Sequence, residues 1–105
     1  MTDKRVVLTT CGSLDEARHI AQALIDRRLA ACINVIPHVE SMYRWKGEVE
    51  TSTETLLLIK TTADAFDRVR AAVTSLHSYE VPECIEISVT DGNEAYLAWI
   101  GEAVR

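Results

Sequence analysis

The sequence predicts an α+β fold. It is a ferredoxin-like βαββαβ antiparallel sheet with helices on one face, a long hairpin between the second and third strands, and a C-terminal helix. Two observations carry this. From Val39 to Lys60 there is no proline and one glycine, Gly47, so the stretch folds back as two unusually long strands. The order of apolar patterns along the chain, β-α-β-β-α-β-α, sets two βαβ-like halves around that hairpin. A length of 105 residues fits one domain, 1–105, with one core.

The first strand is the β-branched run from Arg5 to Thr10, stopped at Cys11-Gly12. Ser13 and Glu16 have capping-box spacing, and Ala17, Ile20, Ala21 and Leu24 form the buried stripe of a helix that fades near Arg28. Ala31 to Ile36 is the second strand, bent or ended by Pro37, and Val39 to Trp45 continues it. One face of that arm carries Val39, Ser41, Tyr43 and Trp45. Lys46-Gly47 is the turn. Lysine suits positive φ poorly, so a three-residue loop with Gly47 left-handed is expected, placing Arg44 opposite Glu48.

Glu48 to Lys60 returns as a strand of roughly 40 Å at ~3.3 Å per residue. Its first half is polar, and its second half is Leu56-Leu57-Leu58-Ile59. Thr61 and Asp64 begin a second helix in capping-box spacing, with Phe66, Val69, Val73 and Leu76 inward. His77 to Pro82 is a loop, Glu83 to Val89 a strand, and Asn93 caps a last helix containing Leu97, Ile100 and Val104. Both helices on one face leave the other face bare. A homo-oligomer that pairs the overlong strands covers it.

Composition excludes several classes. The formal charge is −5 and no basic run occurs, which argues against nucleic acid as a partner. No apolar stretch is long enough for a secretory signal or a membrane span. Cys11, Cys32 and Cys84 are odd in number and form no CxxC, as expected of reduced thiols in the cytoplasm. Phosphate loops, GxGxxG and GxSxG are absent, so an enzyme is not expected, and no organic cofactor is evident.

Cys11, at a strand-to-helix corner where a helix N-terminus can lower a thiol pKa, is the candidate reactive or ligating cysteine. His77, Tyr79, Glu80 and Glu83 share one loop, and Lys60 ends the long strand that precedes the second helix. Convergence of these at one end of the sheet would suit a small anionic ligand or a metal complex. The alternative is a network that only anchors the loop. Tyr43 and Trp45 are read as a subunit contact or as the wall of a ligand cleft.

The series Ala30–Pro37, Tyr43–Glu48, Ile59–Thr61, His77–Glu83 and Tyr96–Ile100 resembles, in order and over nearly the whole chain, the CutA family of divalent-cation tolerance proteins. The resemblance implies a cytoplasmic homotrimer built like the PII-type signalling proteins and linked to copper and other divalent metal ions. It also leaves room for a small-molecule sensor or a scaffold that docks a protein partner. Two residues depart from the family pattern: His38 replaces a glycine, and Ser78 replaces a proline. At the positions associated with copper in other members stand Thr9, Leu76 and His77. Only His77 carries over, with Cys11 two residues beyond Thr9 as the candidate replacement ligand. The expected site is therefore Lys60, His77, Tyr79, Glu83 and Trp45 for a ligand, His77 and Cys11 for a metal, and Tyr43 and Trp45 for the trimer contact.

Overall fold

A computed structural model describes residues 1–105. The elements are β1 (Lys4–Cys11), α1 (Leu14–Asp26), β2 (Cys32–Trp45), β3 (Glu48–Thr62), α2 (Phe66–Leu76), β4 (Ile85–Ser88) and α3 (Glu94–Ala103). The sheet is antiparallel, in the order β2-β3-β1-β4. β2 and β3 run 14 and 15 residues, about twice the usual strand. Their hairpin projects along the 44 Å long axis of a molecule only 26 × 22 Å across.

Alternation decides which residues become core. Val7 and Cys11 of β1, together with Leu57 and Ile59 of β3, share a cluster with Ala17, Ile20 and Leu24 of α1 and Val69 and Val73 of α2. The other face of the sheet carries Val6, Leu8, Leu56 and Leu58, flanked by Ile36, Ile85 and Ile87, which are 38%, 52% and 48% exposed. Ser13 caps α1 by accepting from the Glu16 N–H at 3.1 Å, and Asn93 caps α3 by accepting from the Ala95 N–H at 3.0 Å.

Three local expectations are corrected. First, the hairpin turn has two residues, because Trp45 pairs with Glu48 and Arg44 with Val49. Lys46 and Gly47 both take positive φ, 52° and 84°, the I′ pattern whose twist matches that of long paired strands. The twist of the hairpin overrides the local preference of lysine, and the Lys46 ammonium sits 5.9 Å from the Trp45 ring centroid.

Second, Thr61 starts no helix. Its buried hydroxyl donates to the Leu29 carbonyl at 2.6 Å, β3 runs on to Thr62, and a 3-10 turn at Ala63–Ala65 leads into α2 without a side-chain cap. Third, β4 is shorter than expected, and Cys84 lies before it. At Pro37, where a bend or an end was expected, β2 is disturbed but continues. Ile36 pairs with Leu56 and Val39 with Glu54, so one extra residue bulges out at Pro37-His38, and His38 holds φ 63°.

Candidate functional site

The last residues of β1, the first turn of α1 and the residue after α2 meet at one corner. Cys11 ends β1 and is fully buried. The Ser13 cap starts α1 so that Glu16 points back to that corner. His77 follows α2, its N–H donating to the Val73 carbonyl at 3.0 Å, and its ring is fully enclosed. Ligand atoms of Cys11, Glu16 and His77 lie within 4.8 Å of one another, and no other group of three or more metal-ligating residues in the chain does so.

The imidazole tautomer follows from its partners. Nε2 lies 2.8 Å from the Thr10 carbonyl oxygen, which can only accept, so Nε2 carries the proton. Nδ1 then accepts from the Tyr79 N–H at 3.1 Å. Glu16 Oε2 accepts from the Ser78 N–H at 3.1 Å, a bond that a proline at position 78 could not make. Glu16 Oε1 lies 3.7 Å from His77 Nδ1 and is buried with no hydrogen-bond donor. A buried carboxylate oxygen without a donor is costly, and a water or a cation would satisfy it.

A thiol, an imidazole and a carboxylate form a mixed donor set suited to a borderline divalent ion such as copper or zinc. Burial, then the Glu16 and Glu54 carboxylates, push the Cys11 thiol up to about 11. Desolvation outweighs the lowering that a helix N-terminus can give. A bound metal ion would displace the thiol proton.

Beyond Thr10 the corner opens into a cleft of about 660 Å³ between the hairpin arm and the loop after α2. Tyr43, Trp45, Tyr79 and Glu83 line it, together with Glu54 of β3. The Tyr79 hydroxyl donates to Glu54 Oε2 at 2.7 Å. Burial, then this bond to Glu54, raises the Tyr79 phenol well above its ordinary value. The rings of Tyr79 and His77 lie 4.6 Å apart, which links cleft and corner.

Lys60 does not join them. It pairs with Val6 and Cys32, its ammonium bonds the Asn34 side chain, and the cleft lies where Thr10 pairs with Leu56. The 11 residues of α2, about 16 Å at 1.5 Å each, carry the chain to the opposite end of the sheet before His77. No lysine, arginine or histidine of this protomer lines the cleft. His77 lies behind the cleft, facing Cys11 and Glu16.

Sequence reasoning missed two carboxylates. Glu16 was accounted for by its capping spacing, yet its side chain bonds the loop after α2. Glu54 sits in the polar half of β3 but is only 9% exposed. The available signal was its alternation with Leu56 and Leu58 on one face.

The fold and this corner define a ferredoxin-like α+β protein with a mixed thiol, imidazole and carboxylate cluster beside an open cleft. The family model for CutA1 divalent ion tolerance protein matches residues 5–103, and the chain belongs to that family. It is 48% identical over 99 residues to the divalent-cation tolerance protein CutA of Thermus thermophilus, covering 94% of this chain and 96% of that protein. To human Protein CutA it is 43% identical over 96 residues, covering 91% of this chain and 54% of that longer protein.

Among solved structures, that of the Thermus thermophilus protein superposes with a TM-score of 0.95 at 46% identity, covering 97% of this chain and 99% of that one. CutA from Xylella fastidiosa superposes with a TM-score of 0.96 at 38% identity, covering 99% and 100%. The Arabidopsis thaliana relative is named chloroplastic, and a solved Archaeoglobus fulgidus relative is named periplasmic. No helix here is long and apolar enough to cross a membrane.

Proposed function

We propose that this chain is a non-catalytic, homotrimeric divalent-cation tolerance protein of the cytoplasm. It captures copper or another borderline divalent ion at Cys11, Glu16 and His77, beside clefts where subunits meet. The observation that carries this reading is the buried Glu16 oxygen, without a donor, beside His77 Nδ1 and the Cys11 thiol. The names of the relatives, divalent-cation tolerance proteins, favour the same class of ligand. The half-open apolar sheet face, with Ile36, Ile85 and Ile87 exposed, supports assembly. Three free cysteines fit a reducing compartment.

A second reading, a PII-like sensor of a small molecule, is favoured by the size of the cleft, which falls in the usual range of ligand sites. A scaffold that docks a protein partner needs neither site.

Calorimetric titration with copper and zinc, alongside light scattering, tests the proposal. The expected result is one ion per chain, lost in Glu16→Gln and Cys11→Ser, on a particle of three times 11.7 kDa. Uptake unchanged in both variants would remove this metal site, and a monomer at micromolar concentration would remove the trimer.

A further inference from the structure

Glu16 stands in the first turn of α1, three residues after the Ser13 cap. A glutamate there ordinarily turns back to the cap residue's own N–H, the second half of a capping box. Here only the first half is made. Ser13 accepts from the Glu16 N–H at 3.1 Å, while the Glu16 carboxylate leaves its own helix. Its Oε2 accepts from the Ser78 N–H at 3.1 Å, 62 residues on. Oε1 is thereby held 3.7 Å from His77 Nδ1, buried and without a donor. Ser78 is what permits this, since a proline has no N–H to give.

The carboxylate changes which ion the corner can hold. Cys11 and the His77 ring are fully buried, and an enclosed site is stable only near charge neutrality. A Cys11 thiolate and a neutral His77 balance one positive charge, and thiolate is a soft donor, the set that suits a soft monovalent ion. Glu16 adds a second negative charge and a hard oxygen, which together balance a divalent ion. Ser78 contributes through its main chain and touches no ion itself.

We infer that the Ser78 N–H is the positioning group that commits Glu16 to the metal corner, and that this bond tilts the corner from soft monovalent ions towards borderline divalent ones. Without it the carboxylate returns to the Ser13 N–H, and the corner keeps only thiol and imidazole. Selectivity set this way rests on the metal reading given above, because without an ion at Cys11 and His77 there is nothing for Ser78 to select.

The experiment measures zinc and silver(I) affinity in parallel by calorimetry. It uses chloride-free buffer and a Cys32→Ala/Cys84→Ala background, where Cys11 is the only thiol. Ser78→Pro should weaken zinc binding by about 10- to 100-fold, the usual cost of losing a group that orients a ligand, and leave silver unchanged. Ser78→Ala keeps the main-chain N–H and should restore the zinc affinity that Ser78→Pro loses. Glu16→Asp leaves the loop untouched and shortens the carboxylate by one methylene, so that it cannot hold Ser78 and face His77 together. It should show the same split between the two ions.

Equal loss of both ions in Ser78→Pro, repeated in Glu16→Asp, would mark a loop that merely keeps the corner folded. Unchanged zinc affinity in Ser78→Pro would show that Glu16 reaches the corner unaided. A zinc loss in Ser78→Ala as deep as in Ser78→Pro would assign the effect to the hydroxyl. Each of these overturns the role of Ser78 while ion uptake stands. No uptake of either ion by the unaltered chain removes the metal reading, and the role of Ser78 with it.

Discussion

The Tyr79 hydroxyl donates to Glu54 Oε2 across 2.7 Å and ties the loop after α2 to the middle of β3, 25 residues away in sequence. Gly12 backs this contact, because a Cβ there would lie 3.1 Å from the Tyr79 oxygen. The loop that carries His77 is thus fixed from both sides.

Tyr79→Phe should lower unfolding free energy by about 1.5–3 kcal/mol, the usual worth of a hydrogen bond to a charged group. It leaves Glu54 enclosed with no donor. A double-mutant cycle with Glu54→Gln in urea denaturation checks the pairing, and strictly additive losses would show that the two residues do not act together.

Gly12→Ala should cost about 1–3 kcal/mol by pushing the Tyr79 ring aside. The cost should shrink in the Tyr79→Phe background, where the atom nearest the added methyl is gone. Thermal melts of the two backgrounds give the comparison, and an undiminished cost would place the strain elsewhere.

His38 holds φ 63° at the bulge, where its side chain costs roughly 1 kcal/mol relative to glycine. His38→Gly, the residue that the family resemblance leads one to expect, should therefore raise the melting temperature. A β-branched His38→Val should lower it. Scanning calorimetry of the three proteins decides, and a drop for glycine would mean the imidazole makes contacts that outweigh the backbone strain.

Cys11 links stability to alkaline pH. Its thiol is held at about 11 in the fold, against 9.0 ordinarily, so above 9 the unfolded chain gives up this proton first. The stability from Cys11 is complete below about 9 and drains away as pH rises towards 11. Cys11→Ala should flatten that decline in urea melts at pH 8, 9.5 and 10.5. Parallel curves for the two proteins would contradict it. Iodoacetamide should also label half-buried Cys32 and Cys84 before Cys11 in the folded protein.

The parts of this structure governed by local chemistry were legible in the sequence. Ser13 and Asn93 announce their helices, Gly47 announces the hairpin, and the apolar stripes of α1 and α2 name the faces they bury. Features settled over longer range were not. The two-residue turn at Lys46-Gly47 depends on the twist of the whole hairpin. The separation of Lys60 from His77 depends on which end of the sheet α2 reaches. Cys11 and His77 stand out in the sequence as ligand candidates and lie close together, whereas Glu16 entered the corner through Ser78, and Glu54 met a tyrosine 25 residues on.

The bulge at Pro37-His38 also sets a parity rule for the arm. From Ile36 to Val39 β2 advances three residues while β3 advances two, from Leu56 to Glu54, so the bulge holds one surplus residue and keeps Val39 on the face of Ile36. Deleting His38 would remove that surplus and leave the later pairings, and the face of Tyr43 and Trp45, unchanged. One added residue has no such reserve: it would turn Tyr43 and Trp45 to the side of Met42 and Arg44. An insertion at position 38 should therefore be more harmful than a deletion there.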